Sequence, residues 1–443
     1  MIYTLFIYKW RFSRIATYLN KLRTHRTKRW MALLMLSMGV LHAAAQHDVN
    51  AWLTDRLEAV RDWRQVDYET MMNTALSDKD VDALIRCLVV IEYNKSIGAD
   101  SMALALIDYV LEEGTNNRIR GVVDYLLKTK YTMMMRQNRF DEIEKMACYI
   151  DKRWQDNLEL KKKSEHWHRL AEAGKDIQPV RIHRRKNVTS LELYRQENHP
   201  HFINIHAHVN QTKNGRFIVD TGVTTSMTLY RHAANAMGVR LLPDSTVTCS
   251  ASAPDVEFSM QAGVLDSLQI GDITLYNLPV WVSDEEVRYD ADGFIGTPDL
   301  SRLEYIELSS DSLTLRHPVP TQTDDVNFRM NAGDRGDRCM ILVCTLDTHP
   351  FSFLLDTGCD SFILPSQYTH HPNVVEAQVG GLTLRFRHFG SHAFTPHSDS
   401  IGIFGAPLLG AFKKLCINFR DSHIDYIKKE GVDAIKFQIK NKK

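Results

Sequence analysis

The chain has 443 residues, 44% of them hydrophobic, and its 54 basic and 54 acidic side chains cancel to a formal net charge of zero. That length and apolar content suffice for two or three buried cores, and the charge balance argues against nucleic acid or a strongly charged substrate as a partner. Seven cysteines, an odd number without a C-x-x-C pair, imply no disulfide framework.

The first segment carries a basic stretch from Arg23 to Arg29, an apolar run from Met31 to Leu41 and the small-residue site Ala43-Ala44-Ala45. An apolar run of that length is too short for a bilayer, which needs about 20 residues, and it suits the core of a signal peptide. Residues 1–45 are therefore expected to be cleaved after Ala45, leaving a periplasmic or secreted protein. The alternative is an uncleaved membrane anchor, and a membrane enters only in that case.

Residues 47–175 read as an α-helical domain. Leu53, Leu57 and Val60 share one helical face, as do Leu84, Leu88 and Ile91, and farther on Val122, Leu126 and Met133. Ser77 with Asp80 has the spacing of a capping box, and Gly114 is placed to end a helix. Asn138-Arg139-Phe140 suits the turn of a helical hairpin. Both a plain bundle and a tetratricopeptide-like array fit, and the layer is a candidate surface for a protein partner.

Residues 176–197, with the basic cluster His183-Arg184-Arg185-Lys186, read as a linker with a solvated face. Beyond it lies an internal repeat. Phe217-Ile218-Val219 leads into Asp220-Thr221-Gly222, and Phe353-Leu354-Leu355 leads into Asp356-Thr357-Gly358. Ile270-Gly271-Asp272 recurs as Val379-Gly380-Gly381, and Gly293-Phe294-Ile295-Gly296 recurs as Gly402-Ile403-Phe404-Gly405. Gly271 to Gly296 is 25 positions, and so is Gly380 to Gly405. Two matched spacings make the paired tripeptides a duplication rather than a coincidence. Each apolar run reads as a buried strand delivering an aspartate to a tight turn, where glycine allows close backbone approach.

The repeat breaks once. Asp220 to Gly271 is 51 positions and Asp356 to Gly380 is 24, so the first copy carries 27 more residues. The extra stretch holds Val247-Thr248-Cys249-Ser250, then Ala253-Pro254-Asp255, then Val256-Glu257-Phe258, which reads as strand, turn, strand. This hairpin is the candidate flap, with Ala253, Pro254 and Asp255 at its tip. The copies occupy residues 198–317 and 339–430, joined by a connector at 318–338 where Pro318, Pro320, Asn331, Gly333 and Gly336 mark loop structure.

An apolar pair before D-T-G, followed later by two apolar residues and glycine, resembles the aspartic proteases of the pepsin and retropepsin type. The pattern is met by Ile218-Val219-Asp220-Thr221-Gly222 with Phe294-Ile295-Gly296, and by Leu354-Leu355-Asp356-Thr357-Gly358 with Ile403-Phe404-Gly405. The resemblance covers roughly Pro200 to Tyr426, and its two copies in one chain match the pepsin arrangement of a bacterial-type exported member. It implies two duplicated all-β lobes, each a small barrel, and with the helical reading of residues 47–175 the expected fold class is an α+β multidomain protein in which the helical domain precedes the lobes. It implies Asp220 and Asp356 as the catalytic pair, with Thr221, Gly222, Thr357 and Gly358 in support. Two such carboxyls share one proton and activate a water for direct peptide hydrolysis.

One departure stands out. Val223 and Cys359 occupy the position after each D-T-G, where pepsin-like enzymes commonly carry Ser or Thr, so neither aspartate gains a strong hydroxyl donor there and the pair is expected to titrate higher than in pepsin. Cys359 has no adjacent His and reads as packing. His206 and His208 alternate on one strand face without a third ligand, so no metal is implied, and no cofactor is. Asp347-Thr348-His349 reads as a hairpin turn. The absence of a glycine-rich phosphate loop and of a G-x-S-x-G elbow removes nucleotide-dependent and serine-hydrolase readings. Two function classes stand: an aspartic endopeptidase acting on polypeptides, and a non-catalytic peptide-binding or scaffolding protein on the same fold.

Overall fold

The computed structural model describes residues 49–61, 64, 66–113, 120–210, 213–250, 257–284, 289–320, 326–331, 338–368, 375–386, 401–430 and 435–437. The expected signal peptide at 1–45, Gly114, the flap tip Ala253-Pro254-Asp255, Gly333 and Gly336 lie outside the described residues.

A helical N-terminal region precedes a β-rich one. The helices are α1 (Val49–Arg61), α2 (Tyr68–Ser77), α3 (Ala83–Ser96), α4 (Asp100–Glu113), α5 (Arg120–Met135), α6 (Phe140–Arg153) and α7 (Leu158–Gly174). Each from α2 onward packs against the next, and their apolar faces meet in one core that includes Leu53, Leu88, Ile91, Ile107, Leu126, Ile143 and Trp167. The starts of three helices are fixed by side-chain caps that satisfy otherwise orphaned N–H groups. Asp67 accepts from Thr70 N at 2.9 Å, Asp82 from Leu84 N at 2.9 Å, and Asn157 from Leu160 N at 3.1 Å. The capping box expected at Ser77 and Asp80 is corrected: Ser77 ends α2, and Asp82 caps α3. The Asp82 N–H itself donates to Asn50 Oδ1 at 2.7 Å, which ties the start of α3 to α1.

The β region contains, in chain order, β1 (Arg181–Arg184), β2 (Val188–Glu192), β3 (Asn204–Val209), β4 (Lys213–Asp220), β5 (Thr228–Tyr230), α8 (Arg231–Met237), β6 (Arg240–Ser250), β7 (Glu257–Ile270), β8 (Ile273–Ser283), β9 (Gly293–Gly296), α9 (Thr297–Arg302), β10 (Tyr305–Leu308) and β11 (Ser312–Arg316). There follow β12 (Val326–Asn331), β13 (Cys339–Leu346), β14 (His349–Asp356), β15 (Phe362–Ile363), β16 (Val375–Val379), β17 (Leu382–Phe386), β18 (Ile401–Gly405), β19 (Phe412–Asn418), β20 (His423–Lys428) and β21 (Ile435–Phe437). One sheet runs β1-β8-β5-β9-β4-β3-β7-β6, and an added β7–β8 pairing closes its middle into a barrel. The other runs β15-β18-β14-β13-β12-β20-β19-β10-β11-β2, with β16 and β17 branching from β13. The pairing of β10 with β19, Ile306 opposite Ile417, stitches the two halves of the β region together.

The boundaries expected from sequence are corrected in three places. The expected linker at 176–197 is not free chain, because β1 pairs with β8 and β2 pairs with β11. Its basic cluster begins inside β1 and continues past its end, and its cations reach carbonyls and carboxylates: Arg184 donates to Arg302 O at 3.1 Å, and Lys186, beyond the strand, lies 3.2 Å from Asp272. The expected connector at 318–338 contains β12, which bridges β13 and β20. The second copy does not stop at 430, because β21 adds a parallel strand to β17. Asp347 and Thr348 both have positive φ, 45° and 70°, the conformation that a two-residue hairpin turn requires between β13 and β14.

The helical and β regions share contacts. Leu242, Ala262 and Val264, from the base of the β6–β7 hairpin, belong to the helical core, and Trp281 packs against it. Arg329, buried on β12, donates to Val66 O at 3.2 Å and to Arg64 O at 2.9 Å, with its guanidinium over the Tyr68 ring. Among the described residues, no helix is long and apolar enough to cross a membrane.

Candidate active site

Asp220 and Asp356 are the last residues of β4 and β14. Each strand is buried along its final residues, so its end is fixed by core packing. Each pairs in parallel with a strand ending in glycine: Asp220 lies opposite Gly296, and Asp356 opposite Gly405. The loops after the aspartates are bound to the turns after those glycines by equivalent bonds, Thr297 N to Val223 O at 2.9 Å and Ala406 N to Cys359 O at 2.7 Å.

The two loops meet through their threonines. Thr221 N donates to Thr357 Oγ1 at 3.0 Å, and Thr357 N donates to Thr221 Oγ1 at 3.1 Å. Each hydroxyl then donates across the junction, Thr221 Oγ1 to Leu355 O at 2.6 Å and Thr357 Oγ1 to Val219 O at 2.7 Å. Both threonines are buried, so these four bonds are shielded from competing water. They fix the distance and rotation of one loop against the other.

The glycines complete the contact. Gly222 N donates to Asp220 Oδ1 at 2.8 Å, and Gly358 N donates to Asp356 Oδ1 at 3.0 Å. A Cβ on Gly222 would overlap the Asp356 carboxyl, and one on Gly358 would overlap the Asp220 carboxyl. Only glycine lets each loop lie against the opposite aspartate.

The carboxyls interact directly with one another, and both are buried, at 7% and 6% exposure. Burial raises the pKa of Asp220 above the usual carboxylate range, partly opposed by the N–H groups of Gly222, Val223 and Gly358. Asp356 is held well above that range by burial first and then by the negative charge of Asp220. Two carboxyls so close in a shielded site hold one proton between them.

The structure thus brings Asp220, Thr221, Gly222, Asp356, Thr357 and Gly358 together. Val223 and Cys359 reach the carboxyls through backbone N–H groups alone, and the Cys359 thiol lies 3.5 Å from Ser361 O. Burial pushes that thiol upward, which leaves it protonated and a poor nucleophile. His206 and His208 stand exposed on β3, away from these loops.

Sequence reasoning missed the groups that brace the first loop. Thr297 Oγ1 donates to Thr221 O at 2.7 Å, and Asp299, fully buried, accepts from Met227 N at 2.6 Å and from Arg302 Nε at 3.2 Å. Ala406 and Leu408 stand at the corresponding places of the second copy and supply neither bond. A polar residue in one copy opposite an apolar residue in the other was the available signal. His199, which stacks on Phe202, was also missed; its Nδ1 is hydrogen-bonded to Asp360 beside the second loop.

No curated protein matches the sequence. Among solved structures, a retropepsin-like aspartic protease from Rickettsia conorii is similar at 19% identity over 31% of this chain and 92% of its own, with a TM-score of 0.21. Basic 7S globulin from soybean is similar at 10% identity over 55% of this chain and 95% of its own, with a TM-score of 0.35. The structure named edgp is similar at 7% identity over 56% of this chain and 96% of its own, with a TM-score of 0.36. Residues 205–298 match the family model described as aspartyl protease, a span that takes in Asp220, Thr221, Gly222 and Gly296, and this match supports an aspartic protease family for the protein.

Proposed function

We propose that this protein is an aspartic endopeptidase in which a water held between Asp220 and Asp356 attacks a peptide carbonyl. The observation that carries the reading is the mutual contact of two buried carboxyls, each held by its own loop glycine and locked to the other by crossed threonine bonds. The ionised carboxyl takes a proton from the water as its oxygen bonds to the carbonyl carbon, and the protonated carboxyl donates to the carbonyl oxygen. Collapse of the tetrahedral intermediate breaks the C–N bond and delivers a proton to the leaving amine. The reaction consumes only water and a polypeptide, so no cofactor enters it.

In this reading the β region is two duplicated lobes with the pair at their junction. Gly271 and Gly380, equivalent in the repeat, support it, because both open hairpins with positive φ, 58° and 57°. Export with cleavage after Ala45 is part of the proposal and rests on the leader-like first segment. N-terminal sequencing of the protein from its native host checks it, and a start upstream of residue 46 would sink it.

The primary test incubates residues 46–443 with a mixed peptide library from pH 3 to 8, with and without a statine-type inhibitor. Inhibitor-sensitive cleavage is the expected result. Peptide retention without cleavage at any pH would replace the enzyme by a peptide-binding protein.

The unequal copies yield a second expectation. The added residues form the β6–β7 hairpin, paired as far as Ser250 opposite Glu257, and we assign it the role of a flap closing over substrate. Removing the tip around Ala253-Pro254-Asp255 should raise KM and lower kcat severalfold with little change in Tm. Unaltered kinetics would reduce the hairpin to surface decoration.

The residues after each D-T-G yield a third. Replacing both Val223 and Cys359 with Ser offers each aspartate a hydroxyl donor, which favours the ionised state. The acidic limb of kcat/KM against pH should move downward, while the wild type, its pair raised by burial, remains active above pH 5. A wild type confined below pH 4, or a double variant with no shift, would refute this account of the tuning.

A further inference from the structure

Away from the carboxyl pair, α6 and α7 place a second set of reactive side chains together. Glu144, Cys148 and Asp151 follow at spacings of four and three residues, which puts them on one face of α6. α7 crosses that face and brings His168 to it. His168 Nδ1 lies 2.9 Å and 2.8 Å from the two Glu144 oxygens, and Cys148 Sγ lies 3.7 Å from Glu144 Oε1. One donor atom from each of these three side chains falls within 4.8 Å of the others.

We propose that Glu144, Cys148 and His168 bind a divalent transition metal of the zinc class, with Asp151 and Ser164 holding the imidazole in place. Bonds of about 2.0–2.3 Å from a tetrahedral ion put its ligand atoms about 3.3–3.8 Å apart, and the separations around Glu144 differ from that by a few tenths of an ångström. One sulfur, one imidazole nitrogen and one carboxylate oxygen favour zinc-like ions over magnesium or calcium, which take oxygen alone. Three protein ligands leave the fourth position to solvent.

The support behind the imidazole is what separates this arrangement from an ordinary ion pair. His168 Nε2 faces Asp151 Oδ2 at 2.8 Å, and the other oxygen of Asp151 accepts from Ser164 Oγ at 2.6 Å, with Ser164 fully buried on α7. A carboxylate on the far nitrogen of a histidine fixes its tautomer and raises its basicity toward a metal. An ion pair with Glu144 needs no thiol, whereas Cys148 brings its sulfur to the same Glu144 oxygen that faces Nδ1. Metal binding expels the Cys148 thiol proton and any proton on Nδ1, and ties α6 to α7.

The test titrates the full chain with Co2+ and follows its absorption. Expected are one equivalent bound, a sulfur-to-cobalt charge-transfer band in the near ultraviolet, and displacement of cobalt by Zn2+. Cys148→Ser should abolish the band and weaken Zn2+ binding more than tenfold. Asp151→Asn should keep the band and weaken binding roughly tenfold. The wild type gives a readout independent of any variant's folding: Zn2+ should protect Cys148 from alkylation, read by peptide mass spectrometry. No binding at micromolar metal, a band that survives Cys148→Ser in a folded protein, or alkylation of Cys148 unaffected by Zn2+ would each overturn the proposal.

Discussion

Asp220→Asn and Asp356→Asn should each lower kcat/KM on the order of 10³-fold or more, because a positioned acid or base contributes about 10²–10⁴-fold and an amide can neither take nor give the shared proton. The same substitutions should leave the protein folded, and Asp356→Asn should make it more stable at neutral pH. The sign follows from the direction of the shift. The pKa of Asp356 is raised in the folded state by burial and by Asp220, so the folded protein holds a proton that the unfolded chain has lost. The associated stability is fully present below the unfolded pKa of about 3.9 and is lost as pH rises through the folded value. An uncharged amide does not pay that penalty. Tm of the variant should therefore exceed that of the wild type at pH 7, and the gap should close below about pH 4. Near-normal turnover in either variant would exclude the intramolecular pair, and a Tm gap unchanged with pH would exclude the burial account of its titration.

Thr357→Val should be the most damaging change that leaves both carboxyls in place. Valine matches threonine in volume, so the loss isolates the hydroxyl, which accepts from Thr221 N and donates to Val219 O. Both partners are left buried without it, at about 1–3 kcal/mol for each unsatisfied group. A loss of roughly 2–6 kcal/mol is expected by denaturant titration, with kcat falling at least tenfold as the loops drift apart. Thr221→Val should do the same through Leu355 O and Thr357 N, although Thr297 still holds Thr221 O. Thr357→Ser should restore most of the stability and activity. A valine variant as stable and active as the wild type would show that the crossed bonds do not position the pair.

The catalytic candidates were legible because the chemistry of a tight, glycine-dependent turn allows few residues. A Cβ at Gly222 or Gly358 meets the opposite carboxyl, so the tripeptides stand out even without structure. The helical region was legible from its periodic leucines, while its cap was misplaced: Ser77 and Asp82 are both good cap residues, and Ser77 is taken up as the last residue of α2 while Asp82 caps α3. Strands β1 and β2 were read as linker because short edge strands take their pairing from partners far along the chain, with Leu191 opposite Leu313, and β12 was read as connector although it lies between β13 and β20 with Phe328 opposite Leu342. The bracing of the first loop by Thr297 and Asp299 was missed for a related reason, since a buried carboxylate is recognisable only once Met227 N and Arg302 are seen around it.

The sharing of Leu242, Ala262, Val264 and Trp281 between the hairpin base and the helical core bears on how this protein unfolds. A layer that only covered the β region would melt separately, and a chain lacking it would remain soluble. Here the helices supply one wall for the strands that carry the hairpin, and Arg329 ties β12 to carbonyls beyond α1. Cutting the chain before β1 would leave those apolar side chains and that cation facing water, a surface prone to aggregate. Heating the intact protein should accordingly give one calorimetric transition, with helical and aromatic signals lost at the same temperature.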